Sequence, residues 1–227
     1  MKVRENEAAA GIKERLCEWL KKNLAAMLAL LLMVIALSLM TDTFLVKNNL
    51  LSVLRNICVN CFIAFGITCV LIGGGIDLSV GSVVAASGVM AVRLANASVP
   101  LVFCILIALM FGALVGLFNG YVVSHTTIPP FIVTLSTQII VRGVSYILTG
   151  GQPTQCTNEG FNNIGTEYFL GIPIPVIIVL IALLLLFLIM NKTRFGRHVF
   201  AVGGNREAAR YAGVNVRWVQ MRVFVIS

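Results

Sequence analysis

The residues with the chemistry for catalysis are few, and their spacing argues against it. The chain has 227 residues with nine acids and two histidines. A membrane enzyme would need His, Cys and acidic side chains facing one cavity. His125 and His198 instead fall in segments that read as cytoplasmic loops, and Asp77 is the lone acid between Asp42 and Glu159. Cys58 and Cys61 form a CxxC without the second pair that zinc-type spacing requires, so no metal or redox site is expected. No GxxxxGK[ST] occurs, so any ATP hydrolysis belongs to another chain. No cofactor is expected.

What remains is chemistry of position. Gly73, Gly74 and Gly75 precede Ile76-Asp77-Leu78-Ser79-Val80-Gly81-Ser82. Three consecutive glycines break a helix, because they add backbone freedom and permit positive φ. A carboxylate at the bilayer centre costs about 2.5–3.5 kcal/mol on insertion scales, so Asp77 is functional, paired or interfacial. Two placements fit: an interfacial turn at the end of a span, or a broken helix nearer the midplane. In either, the Asp77 carboxylate is expected to accept bonds from amides freed by the glycines. Gly74, Gly75, Asp77 and Ser79 are thus candidates for the broken helix or the translocation path. Arg93 and Arg142 lie inside apolar segments. Each either snorkels to the interface or lines a polar path, where guanidinium donors could meet hydroxyl groups.

The elements that hold these residues are membrane helices. Hydrophobic residues make up 59% of the chain and charged residues 11%, with a mean hydropathy of +0.96. A soluble domain is about a quarter charged, so lipid is the remaining solvent. The net charge of +8 is confined by position: thirteen of the seventeen basic residues lie before residue 23 or after residue 191. That clustering marks cytoplasmic ends. Without interleaved aromatics or a recognition motif, nucleic acid is not an expected partner.

The fold class expected is all-α: a polytopic transmembrane bundle with about six complete spans, a broken helix near 73–82 and a short cytoplasmic coupling helix. Residues 1–23 form a cytoplasmic amphipathic segment, with Ile12, Leu16, Trp19 and Leu20 on one face. It lies on the membrane or extends the first span. Residues 24–190 form the membrane-spanning domain. Its spans are about Leu24–Met40, from Ile57 to the glycines, Ser82–Ser98, Pro100–Ser124, Phe131–Thr149 and Pro173–Met190. Six crossings return the chain to the cytoplasm at residues 191–216, and 217–227 begin a seventh apolar segment. Segment 41–56 is expected in the outer interface, and the outside loop 150–172 is expected to meet something soluble. Ala108, Gly112, Gly116 and Gly120 recur every four residues, a ridge that lets another helix approach closely. In the basic loop, Asn205 caps a helix over Arg206–Ala212 and Gly213 ends it. Ala208, Ala209 and Ala212 give that helix a small face for a groove on a partner; the alternative is a solvated loop helix.

Three blocks carry a resemblance. GGGIDLSVGS, PPFIVTLSTQIIVRGVSYILTGG and NKTRFGRHVFAVGGNREAARYAGVNV, in this order and spacing, resemble the permeases of monosaccharide ABC importers of the ribose/xylose/galactose type. The resemblance implies a bacterial inner-membrane subunit with a cytoplasmic N-terminus that passes on a sugar delivered by a periplasmic binding protein. It also implies an ATP-binding subunit docked on Asn205, Glu207, Ala208, Ala209 and Gly213, and a second permease copy forming a homodimer within membrane lipid. Arg142 falls in the second block. Members of that family continue through further spans, so the chain resembles a C-terminally shortened permease. A secondary transporter, with Asp77 as its sole candidate coupling carboxylate, and an inactive shortened permease are the alternatives.

Overall fold

The computed structural model describes the backbone of residues 2–227 and the side chains of residues 21–227. The chain forms two compact units, Met1–Val53 and Leu54–Ser227.

In the first unit, α1 (Lys2–Met40) is one unbroken helix whose portion Lys21–Met40 is long and apolar enough to cross a membrane. Nothing between residues 20 and 40 is a helix breaker, so no separate helix ends at residue 23. The amphipathic face expected at Ile12, Leu16, Trp19 and Leu20 lies outside the described side chains. Turns over 41–46 lead into α2 (Lys47–Ile72), and the Asn49 side-chain amide braces them by donating to the Phe44 carbonyl at 2.8 Å. The helix therefore starts well before the expected Ile57, and most of segment 41–56 is helical.

The second unit continues α2 and adds α3 (Val80–Asn96), α4 (Leu101–His125), α5 (Pro130–Thr149), α6 (Glu159–Thr166), β1 (Tyr168–Phe169), β2 (Ile172–Pro173), α7 (Ile174–Lys192), α8 (Arg194–Gly204), α9 (Arg206–Tyr211) and α10 (Val216–Ile226). Its fold is an all-α membrane bundle, the small hairpin apart. Across the described residues five helices are long and apolar enough to span a bilayer: the apolar part of α1, α2, α4, α5 and α7. The expected third span, α3, has 17 residues and is shorter, because residues 73–79 are not helical.

Contacts between distant residues sort the helix ends of this unit into two groups. At one end, Arg55 near the start of α2 donates to the Thr166 carbonyl and the Tyr168 hydroxyl, both at 2.8 Å, and its guanidinium lies 5.1 Å from the Tyr168 ring centre. Asn96, at the end of α3, accepts from the Thr157 amide at 2.8 Å and donates to the Gln155 carbonyl. Arg93 donates to the Leu148 carbonyl in the last turn of α5, where a cation suits the helix dipole. The loop 150–172 is therefore structured, with α6 and the β1–β2 hairpin seated on these helix ends; Leu170 and Gly171 make its turn with positive φ. At the opposite end, Gly203 of α8 lies against the Ile72 carbonyl and Gly196 against the Met190 carbonyl, so closely that neither position has room for a Cβ. A core of Cys69, Val70, Val123, Val133, Met190, Val199, Val202, Val219, Val223 and Phe224 joins α2, α4, α5, α7, α8 and α10 there. Helices α2, α3, α4, α5 and α7 thus alternate in direction, and the loop 150–172 lies at the end opposite α8 and α9.

Most remaining apolar side chains on α4 and α7, such as Leu109, Phe118, Leu184 and Phe187, are exposed. Around a helix bundle of this hydropathy that surface faces lipid.

Candidate functional site

The site begins where α2 stops. The Gly75 amide bonds the Val70 carbonyl at 2.9 Å and the Gly74 amide bonds the Leu71 carbonyl at 3.0 Å, with Gly74 at φ 78°. This is a Schellman closure, whose left-handed residue favours glycine. The glycine amides are therefore satisfied by α2 carbonyls, and the nearby amide that the Asp77 carboxylate accepts from is that of Ser79. The chain then runs without helix to Ser79 and turns into α3.

Asp77 is buried, and its carboxylate accepts from the Ser79 amide at 2.8 Å and the Ser79 hydroxyl at 2.6 Å through Oδ1. Its Oδ2 accepts from the Ser227 hydroxyl at 3.0 Å. A carboxylate at the start of α3 also suits the positive end of that helix. Ser227 packs against Gly66, so Asp77 lies alongside the last two turns of α2 rather than beyond its end. The polar chain continues: the Asn119 amide of α4 donates to Ser79 Oγ at 3.0 Å, and Asn119 Oδ1 accepts from the Thr137 hydroxyl of α5 at 2.6 Å. Thr134, also fully buried, accepts from the Leu78 amide at 3.2 Å and is within reach of the Pro130 and Ile76 carbonyls. Buried polar groups in a membrane bundle must be bonded internally, and these side chains bind the broken segment to α4 and α5.

One turn beyond Ser79 a groove of mixed polar and apolar lining opens between α3 and α5, with a volume of about 420 Å³. From α3 it is lined by Gly81, Ser82, Ala85 and Val89, and from α5 by Gln138, Arg142, Ser145, Tyr146 and Thr149. The α5 positions follow helical spacing, one stripe along the helix. The Arg142 guanidinium is exposed and has no hydrogen-bond partner among the described residues. Its five donors are available to a ligand rich in hydroxyls.

The structure groups the expected residues selectively. Gly75, Asp77 and Ser79 meet at the break, whereas Gly74 faces Gly203 of α8, and Arg142 stands apart in the groove. The small-residue ridge of α4 serves two neighbours. Gly112 faces Val83 of α3, while Gly116 and Gly120 lie against the backbone of α10 at Phe224 and Met221; Ala108 is half-buried. Asn119, Thr134 and Thr137 were not singled out from sequence. A lone amide in an otherwise apolar stretch of α4 was the available signal, since such a group demands a partner.

At the same end as the break, beyond α8, the Asn205 side chain caps α9, accepting from the Ala208 amide at 2.9 Å, and Gly213 follows with φ 83°. The helix ends at Tyr211 rather than Ala212. Glu207, Ala208 and Ala212 are exposed, but Ala209 is buried in the protein's own core, so it cannot present a surface to a partner. Arg206 ties α9 to α10 through Gln220 at 2.7 Å.

Three known proteins share much of this sequence. The ribose import permease protein of Haemophilus influenzae is 35% identical over 204 residues, covering 88% of this chain and 63% of that protein. That of Bacillus subtilis is 37% identical over 208 residues, covering 91% and 65%. The galactose/methyl galactoside import permease protein of Salmonella typhimurium is 33% identical over 235 residues, covering 95% and 69%. The chain thus spans 63–65% of the length of the two ribose permeases. No solved structure matches it. The family described as the permease component of a branched-chain amino acid transport system matches residues 49–227, the region holding the glycine break, the groove and the capped α9. With that match over most of its length, and with its apolar spanning helices, the chain belongs to this family of multi-pass membrane permeases.

Proposed function

We propose that the protein is the membrane-spanning subunit of an ATP-driven importer that passes a monosaccharide along the groove between α3 and α5. The observation that carries this is the polar stripe Gln138, Arg142, Ser145, Tyr146 and Thr149 along α5, which faces Ser82 across the groove within the span region. A groove of this size fits one sugar ring, whose hydroxyls need donors and acceptors such as those of the α5 stripe and whose C–H faces suit the apolar lining beside it. The named relatives are permeases for ribose and galactose import, which supports a pentose or hexose as cargo.

The basic end with α8, α9 and α10 is cytoplasmic in this proposal, and the loop 150–172 faces the periplasm, where a binding protein delivers the sugar. Basic clustering at the first end supports it. The membrane is the bacterial inner membrane. As a sixth crossing, α3 spans about 25 Å at roughly 1.5 Å per residue, and the extended residues before it supply the remainder of a core about 30 Å thick. An ATP-binding subunit docks on α9 through Glu207, Ala208 and the turn at Gly213, and a second permease copy completes the path.

The experiment is uptake of radiolabelled ribose, arabinose, allose and galactose into proteoliposomes containing the protein with its ATP-binding and sugar-binding partners. ATP-dependent accumulation of one or more sugars, reduced roughly tenfold or more by Arg142→Ala as hydrogen bonds to a charged group are lost, is the expected result. Uptake that needs neither ATP nor the binding protein would overturn the proposal.

A further inference from the structure

We propose that Asn119 is the positioning residue that holds the two walls of the groove at their working separation; this rests on the groove being the sugar path. Asn119 lies on α4, behind the groove, and is completely buried. Its amide bridges the walls: Nδ2 donates to Ser79, the residue that opens α3 one turn before Ser82, and Oδ1 accepts from Thr137, next to Gln138 on α5.

Hydrogen-bond counting gives this bridge one polarity. Ser79 has a single hydroxyl proton, and it points to the Asp77 carboxylate at 2.6 Å. Ser79 Oγ must therefore accept from its other partner, so the NH₂ of Asn119 faces it. That leaves the amide oxygen for Thr137, whose hydroxyl must donate. The buried charge of Asp77 thus orients a chain of three further side chains, from the break through α4 to α5. Low local dielectric strengthens such a chain when every member is satisfied and makes a single mismatch costly.

Asparagine is specific here in a way its size is not. Asn119→Asp would present an acceptor where Ser79 has no proton to give, and would add a second carboxylate near Asp77. In the double variant Asp77→Asn with Asn119→Asp, the amide oxygen introduced at position 77 still accepts from the Ser79 amide. The Ser79 hydroxyl turns to the carboxylate at position 119, and Thr137 still donates. The chain is complete again with its polarity reversed at Ser79 and one buried charge.

The test uses the full chain with its native cysteines replaced and spin labels at Val84 and Ile140, both exposed and outside the groove. The distance between the labels is measured by pulsed electron resonance, together with thermal stability and ATP-driven uptake. Asn119→Asp is expected to broaden or lengthen the distance between α3 and α5 and to cut uptake roughly tenfold or more, and the double variant to restore both. If Asn119→Asp does not fold, recovery of folded protein in the double variant is the expected result. An unchanged distance in folded Asn119→Asp, or a double variant no better than the single one, overturns the proposal. Because the distance is read without transport, a wild-type protein that moves no sugar would refute the function while leaving the positioning role to be judged on the distances.

Discussion

Replacing Asp77 separates the two things its carboxylate supplies, acceptor geometry and charge. Alanine removes the acceptor for the Ser79 amide and hydroxyl at 2.8 and 2.6 Å and for the Ser227 hydroxyl at 3.0 Å. The hydroxyls can rotate, but the Ser79 amide is fixed by the backbone. A buried donor left without a partner costs about 1–3 kcal/mol, and the vacated side-chain volume adds to it, giving roughly 2–4 kcal/mol in all. Asparagine keeps Oδ1 in place, so both Ser79 bonds persist as neutral ones at about half their charge-assisted strength. Its Nδ2 can donate to Ser227 Oγ in place of the bond lost. The net cost is about 1 kcal/mol. At about 2–4 °C per kcal/mol for a chain of this size, Asp77→Asn should lower the unfolding midpoint in detergent by a few degrees. Asp77→Ala should lower it by roughly 5–15 °C. Uptake should follow the same order, with Asn retaining most of it and Ala little. An Asn variant as unstable and inactive as Ala would show that the charge itself is required. An Ala variant as mild as Asn would show that Thr134 and the Schellman closure hold the break without Asp77.

Gly116→Leu should destabilise the protein by about 1–3 kcal/mol through overpacking, because α10 at Phe224 and Val225 leaves no room for a Cβ. Gly112→Ala, whose Cβ would sit an ordinary 3.7 Å from Val83, should be near neutral; equal midpoints for the two in thermal unfolding would refute the role given to the ridge. On α9, Ala208→Trp should abolish capture of the ATP-binding subunit with the fold intact, since Ala208 is exposed and lies outside the core. Glu207→Ala should weaken capture only slightly, an exposed ion pair being worth about 0.2–1 kcal/mol. Undiminished assembly and uptake with Ala208→Trp would make α9 an ordinary loop helix. Ala209→Trp is a different experiment, because that side chain belongs to the core and its replacement should cost stability first.

Features governed by local chemistry were legible in the sequence. Lipid-spanning helices follow from long apolar runs. The stop at Ile72 follows from three glycines, and the cap at Asn205 from a side chain that reaches an amide three residues on. Features that depend on residues far apart in the chain were not legible. Hydropathy started the second span at Ile57 because Arg55 is charged, yet α2 runs through that arginine from Lys47. Tyr168 and Thr166, more than a hundred residues later, take up the guanidinium. Periodicity showed a small-residue ridge on α4 but could not say that Gly112 meets α3 while Gly116 and Gly120 meet α10. Composition put Ala208 and Ala209 on α9 and Ala212 at its end, and only packing turned Ala209 inward. Asn119 is the clearest case. A single amide in an apolar helix announces that it needs partners, but which partners, and with which polarity, depends on where α3 and α5 come to rest against α4.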